Sequence, residues 1–180
     1  KQGFAIYYDV TTGQIGNVAT IHVGPNVWLA MAAIDLYKVT LDRRYLQLAA
    51  DITRWVKDVV PHKDGGVAMG PENEVVLWRE IFSTEHNIGY AALLKKISAH
   101  QQLFIDQNVL TAQEINLLEV ELTGDVLTGV KGVEEWINAR FNPDTRIFNR
   151  GGVLDINGEF VEDEIKALDT TTFLISAYGP

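Results

Sequence analysis

Two carboxylates stand at matching places in this sequence. Glu85 follows Ser83-Thr84 and opens an apolar stretch, and Asp169 precedes Thr170-Thr171-Thr172 and opens another. Each has the position of a residue in the first turn of a helix. Two carboxyl groups facing each other can divide acid and base work, one giving a proton while the other attacks or activates water. Such assistance is typically worth about 10²–10⁴-fold in rate. The same residues have structural uses as well. An acidic side chain in a first helical turn stabilises the helix dipole by about 0.3–1 kcal/mol. Asp169 is also placed to cap a backbone N–H near Thr171 or Thr172. Which use applies depends on whether the two helix beginnings meet.

Other chemistries have no residues to carry them. The chain has no cysteine, so disulfides, zinc–thiolate sites and a thiol nucleophile are excluded from it. It holds no phosphate-cradling glycine loop, no His-Glu-x-x-His pair and no Gly-x-Ser-x-Gly elbow. Asp155, Asn157 and Glu159 alternate in a way that hints at calcium, but the spacing lacks the full loop and its closing glutamate. Neither a metal nor a cofactor is therefore expected. With 15 Lys and Arg against 24 Asp and Glu, the net charge is −9, which repels nucleic-acid phosphates and anionic membrane surfaces. No apolar run reaches the roughly 18 residues of a membrane span. Nucleic acid and membrane are both excluded as expected partners, and the chain reads as soluble and acidic.

The elements that position the carboxylates come in pairs. Residues 26–39 are apolar nearly all round (Val27, Trp28, Leu29, Ala30, Met31, Ile34, Leu36), which predicts a helix buried on most sides. After Thr40-Leu41, Asp42 begins a second helix. Its apolar positions Tyr45, Ala49, Ile52, Val56 and Val59 recur in steps of three and four, so it is one-sided. An inner helix and an outer helix joined by a tight turn form an antiparallel hairpin. The order then returns. Ser83-Thr84 caps an inner helix over 85–97, and Thr111-Ala112-Gln113-Glu114 is a capping box for another helix. Gly124-Asp125 breaks that helix, and an outer-type helix with Val126, Val130, Val133 and Ile137 on one stripe is expected after it. A third inner helix is expected from Leu168-Asp169-Thr170. Gly65-Gly66-Val67 follows Trp55 and Gly151-Gly152-Val153 follows Trp136, each at nearly the same distance from the next acidic helix opening. Asn157-Gly158 signals a β-hairpin inside the second connection.

Residues Gly24-Pro25-Asn26-Val27-Trp28-Leu29-Ala30, with Asp42-Arg43-Arg44-Tyr45-Leu46 and Ala50-Asp51-Ile52-Thr53-Arg54-Trp55-Val56, resemble successive inner and outer helices of six-hairpin glycosidase-like proteins. Ser83-Thr84-Glu85-His86-Asn87 and Leu168-Asp169-Thr170-Thr171 resemble inner-helix openings of bacterial members. The resemblance spans nearly the whole chain in pattern. It implies a mainly all-α fold: one domain over residues 1–180 that is about half of an (α/α)6 toroid, with short β-hairpin connections. About three of six hairpins are present, so the chain is expected to be an excerpt or processed product. It opens at Lys1 without an initiator Met and stops at Gly179-Pro180. Apolar surface is then expected where the rest of the toroid, or a partner chain, belongs.

The resemblance also implies a sugar-binding funnel where the inner helices begin. His22, Asn26, Thr84, His86, Asn87 and Thr170 would converge there as substrate-binding residues beside Glu85 and Asp169, the catalytic pair. Glycoside cleavage places two carboxyl groups about 5–5.5 Å apart for retention and about 6.5–9.5 Å for inversion. Trp28, Trp78 and Phe82 are candidate sugar-stacking platforms as well as candidate core. Trp78 is the strongest of them, because residues 72–82 read as a loop approaching Glu85. Trp55 and Trp136, at outer-helix ends, read as core, and His62 and His100 read as surface residues. Two other readings stay open: a non-catalytic toroid binding glycan or protein through the same funnel, and an open helical-repeat scaffold.

Overall fold

The computed structural model of the protein describes residues 3–4, 21–71, 78–166, 170, 172 and 174. Asp169, Thr171 and most of the expected third inner helix lie outside those residues, as does the 72–77 part of the loop before Trp78.

The described chain is mainly helical and begins with a helix hairpin. Helix α1 (Val23–Thr40) is followed by α2 (Arg43–Val59), with only Leu41-Asp42 between them. Leu41 takes the left-handed conformation (φ 57°) and returns its N–H to the Tyr37 carbonyl. Asp42 then caps α2 by accepting from the Arg44 N–H at 3.0 Å. As the three-and-four spacing predicts, α2 buries Ala49, Ile52 and Val56 and turns Arg43, Arg44 and Asp58 outward, but Leu46 is buried more deeply than Tyr45, and Val59 at the helix end is exposed.

A small antiparallel pair follows, β1 (His62–Lys63) with β2 (Gly66–Val67). A 3-10 turn at Trp78–Glu80 leads into β3 (Ile81–Ser83) and α3 (Thr84–Ala99). After the short α4 (Gln101–Asp106), α5 (Ala112–Thr123) opens on the expected capping box. Thr111 Oγ1 accepts from the Glu114 N–H at 3.1 Å, and Glu114 accepts from the Thr111 N–H at 2.8 Å. Then come α6 (Val133–Asn138), β4 (Phe141–Asn142), β5 (Ile147–Leu154) and β6 (Phe160–Lys166).

Helices α1 and α3 lie side by side and parallel. A Cβ on Gly24 would come 2.6 Å from the His86 ring, and one on Gly89 would come 3.1 Å from Val27. Further along, Lys96 Nζ is 2.5 Å from Asp35. The contacts keep the same order on both helices, which fixes the parallel sense. Val27, Ala30 and Ile34 of α1, Ile52, Trp55 and Val56 of α2, and Leu93, Leu94 and Ile97 of α3 share one core. Phe104, Ile115, Trp136 and Phe148 join it. Helix α3 also packs against α5 and α6, so it is the central helix of the described chain. Among the described residues no helix is long and apolar enough to cross a membrane.

Strand β5 is the common partner of the sheet, antiparallel to β3, β4 and β6. The β5–β6 hairpin turns at Asn157-Gly158, where the dipeptide predicts it, with Gly158 at φ 76°. Arg140 ties β6 to α6: its guanidinium is buried 4.1 Å over the Trp136 ring and 4.4 Å over Phe160.

Three sequence expectations are corrected. Val126 and Val130 are not helical. Asp125 and Val130 exchange backbone hydrogen bonds across a turn, the Asp125 carboxylate accepts from Leu127 N–H and Thr128 Oγ1, and α6 starts only at Val133. The local turn chemistry of Gly124-Asp125 and Gly129 outcompetes the apolar stripe. Gly65-Gly66-Val67 and Gly151-Gly152-Val153 are not equivalent either. The first closes β1–β2, and the second lies mid-strand in β5, where its hairpin counterpart is Phe141-Asn142 with Ile147-Phe148. Lastly, α1 is not buried on most sides, because Trp28, Leu29, Leu36 and Val39 are exposed.

Candidate functional site at the start of the central helix

The N-terminus of α3 is built by three short interactions. Ser83 Oγ faces the His86 N–H at 3.4 Å, buried Thr84 donates its hydroxyl to the Asn149 carbonyl at 2.7 Å, and Asn87 reaches back to the Ser83 carbonyl at 2.8 Å. Between them Glu85 stays partly exposed. It lines a cavity of about 380 Å³ together with Ser83, Arg150, Asp163 and Thr170, over a floor that includes Met69, Ile81, Phe82 and Val153. That volume lies within the roughly 300–1,000 Å³ of small-molecule sites.

Two glycines let the walls close. Gly151 has φ 133°, and a Cβ there would sit 1.9 Å from the Phe82 carbonyl oxygen. At Gly152 it would sit 2.3 Å from that of Val161. Only with hydrogen at these positions can β3 and β6 both pair with β5. The pairing sets Arg150 beside Asp163, with Arg150 Nε donating to Asp163 Oδ2 at 2.6 Å. The Ile165 N–H, donating to the other oxygen at 2.9 Å, together with Arg150 holds the Asp163 carboxyl below the usual carboxylate range.

A second grouping lies at the beginnings of α1 and α3. The His22 ring meets the Trp78 indole edge-on at 4.5 Å between centroids and lies 5.8 Å from the His86 ring. Burial first and nearby His22 second lower the His86 pKa to about 4, with the Met69 backbone opposing the shift. Burial lowers His22 as well. Among the described residues, His22 Nε2, Trp78 Nε1 and His86 Nδ1 are buried without a hydrogen-bond partner.

The two asparagines are fully buried and their amides are taken up by backbone. Asn26 accepts from the Phe4 N–H at 2.7 Å and donates to the Phe4 and His22 carbonyls, each at 2.8 Å. Asn87 repeats the pattern, accepting from the Val67 N–H at 2.7 Å and donating to the Val67 and Ser83 carbonyls. Of the residues singled out from sequence, then, Glu85 and Thr170 share the cavity. His22, Trp78 and His86 form the aromatic group, Thr84, Asn26 and Asn87 fasten backbone, and Asp169 lies outside the described residues. Phe82 is buried, and its ring packs edge-on to Phe160.

Arg150 and Asp163 carry no signal in the sequence, since they face each other only through the β5–β6 register. The alternating Asp155 spends its Oδ1 on the N–H groups of Asn157 and Glu159, at 2.8 and 2.9 Å, inside its own turn. Among the described residues no cluster of three or more His, Cys, Asp or Glu side chains could hold a metal ion. A larger cavity, about 480 Å³, lies between α2 and α5, where His62 Nε2 is 2.6 Å from Glu121.

No family model, curated protein or solved structure matches this chain.

Proposed function

We propose that this chain is a carbohydrate-active segment of a six-hairpin glycosidase-like toroid, with Glu85 the proton-donating carboxyl of a glycoside hydrolase. The observation that supports this most is the shared cavity: Glu85, at the start of α3, and Thr170, at the third helix opening, line the same space. Asp169 precedes Thr170 directly and is the proposed second carboxylate. Asp163 is a poorer candidate for that role, because both its oxygens are engaged, one by Ile165 and the other by Arg150. The Arg150–Asp163 pair instead supplies a polar wall suited to sugar hydroxyls, and Ile81 and Val153 give an apolar floor for a sugar face.

In this reading Glu85 protonates the leaving oxygen while Asp169 attacks the sugar carbon or activates water. The test is hydrolysis across a broad oligosaccharide panel by the chain and by Glu85→Gln and Asp169→Asn. Both variants keep shape but lose the ionisable group. Turnover should fall about 10²–10⁴-fold in each while sugar binding persists. Turnover indifferent to Glu85→Gln would end the assignment. Glycan binding with no hydrolysis anywhere on the panel would make the funnel a non-catalytic one.

A further inference from the structure

Helix α5 is tied to the first helix hairpin at both of its ends, and the two ties differ in chemistry. At its start, Arg54 of α2 holds Glu114, with Nη2 2.7 Å and Nε 2.8 Å from Oε1. A guanidinium keeps its proton throughout the ordinary range of pH, so this tie is permanent. In the last turn of α5, Glu121 is held by His62, which follows α2 in β1. His62 Nε2 is 2.6 Å from Glu121 Oε1. An imidazolium can give up its proton.

The other ring nitrogen shows what this second tie requires. His62 Nδ1 lies 2.8 Å from the Val60 carbonyl oxygen, which only accepts, so Nδ1 carries a hydrogen. A neutral ring has no second one. Its Nε2 would turn a lone pair toward the carboxylate, and two lone pairs do not approach to 2.6 Å. The contact therefore contains a proton of its own, on Nε2 or on Oε1, and the bond lasts only while that proton is present.

The charged groups around the pair do not take its place. Lys57 of α2, Asp64 of the β1–β2 turn and Lys131, between α5 and α6, line the same cavity. Lys57 is 3.3 Å from Asp58, Lys63 is 3.9 Å from Glu159 of the β5–β6 turn, and the Asp64 charge reaches Arg140. From α3, the buried Tyr90 hydroxyl faces Glu121. Burial first, then the Glu121 and Asp58 charges, hold its phenol well above its ordinary range, so it stays neutral. None of these groups fits between two atoms 2.6 Å apart.

We propose that the His62–Glu121 bond is a proton-operated latch on the cavity between α2 and α5. Both residues belong to the cavity wall. With the proton in place, the last turn of α5 is drawn to β1 and the wall stays closed. When the proton leaves in alkali, Nε2 and Oε1 repel, and local opening of that wall no longer has this bond to break. Opening exposes the aliphatic side of the cavity, Leu117, Val120 and Val130. The movement is confined to the last turn of α5. A Cβ on Gly65 would come 2.5 Å from the Gly132 carbonyl oxygen, and one on Gly124 would come 2.8 Å from the Gly132 nitrogen, so the chain beyond stays packed. The inference does not depend on the sugar chemistry of the α3 cavity.

Hydrogen exchange of the full 180-residue chain, corrected for the intrinsic pH dependence of amide exchange, reads the latch in peptides covering residues 117–123. Measured against the amides of α3, their protection should fall about tenfold or more from acid to alkaline pH. Glu121→Gln keeps the shape and lets an amide N–H donate to the neutral ring. It should hold the high protection at both ends of the range. His62→Phe removes both ring nitrogens and should show the low protection throughout. If that variant does not fold, Glu121→Gln decides by itself. Protection of residues 117–123 that ignores pH in the unaltered chain would overturn the proposal. So would a pH dependence that persists undiminished in Glu121→Gln, because it would then arise from another group.

Discussion

His86 lies against Gly24 where α1 and α3 touch, and its position has a cost in acid. Its ordinary pKa of 6.5 falls to about 4 in the folded protein, from burial first and the neighbouring His22 second. Between those two values the unfolded chain takes up a proton that the folded chain refuses. Stability should therefore fall as pH drops from about 6.5 toward 4, and this group should add nothing to the pH dependence above that window. The whole shift corresponds to roughly 3 kcal/mol. His22 is displaced in the same direction and adds to the slope. Urea unfolding of the chain and of His86→Asn across this range would measure the effect. The variant should give a visibly flatter profile, and an unchanged slope would clear His86 of the role. The position of this histidine beside a helix cap was legible in the sequence. Its burial was not, because the residue that closes over it, Gly24, comes from another helix.

At the scale of elements, the asparagine clamps join the starts of α1 and α3 to backbone earlier in the chain. Asn87 is buried and satisfies both backbone groups of Val67 as well as the Ser83 carbonyl. Asn87→Ala leaves those groups buried without partners and should cost about 2–4 kcal/mol, read as a lower urea midpoint with unchanged slope. Asn87→Asp keeps an acceptor for the Val67 N–H, but it loses both donors and buries a charge, so it should rescue little. A loss below about 0.5 kcal/mol in the alanine variant would show that the clamp is dispensable. From sequence, Asn26 and Asn87 look like ligand residues, being polar and at the mouths of helices. What they bind is backbone remote along the chain, and no local pattern encodes that distance.

Over the whole molecule, protection from exchange should follow the packing. Helix α3 touches α1, α5, α6 and the sheet, so its amides, with those in the first half of α1, should exchange slowest. Strand β6 has exposed Val161 and Ile165 and, among the described residues, pairs only with β5, while the Asp125–Val130 turn stands clear of the core. Their amides should exchange fastest. Hydrogen exchange followed by mass spectrometry would check this ordering. Slow β6 amides matching those of α3 would mean the sheet is held by more than its pairing with β5 and the Arg140 anchor.

Periodicity and capping alone determined that this is a mainly helical protein of paired helices, with α1, α2, α3 and α5 near their observed bounds and a hairpin at Asn157-Gly158. Those features depend on contacts within a few residues, which a sequence carries directly. The tertiary structure decided the rest. It placed Gly151-Gly152 in mid-strand and brought Arg150 and Asp163 into the cavity of Glu85 and Thr170. It also separated the polar helix beginnings into residues that line space and residues that fasten backbone. The physical reason is common to all of these. A side chain's partner across a register or a helix crossing is fixed by how whole elements pack, and that information is spread over the entire chain.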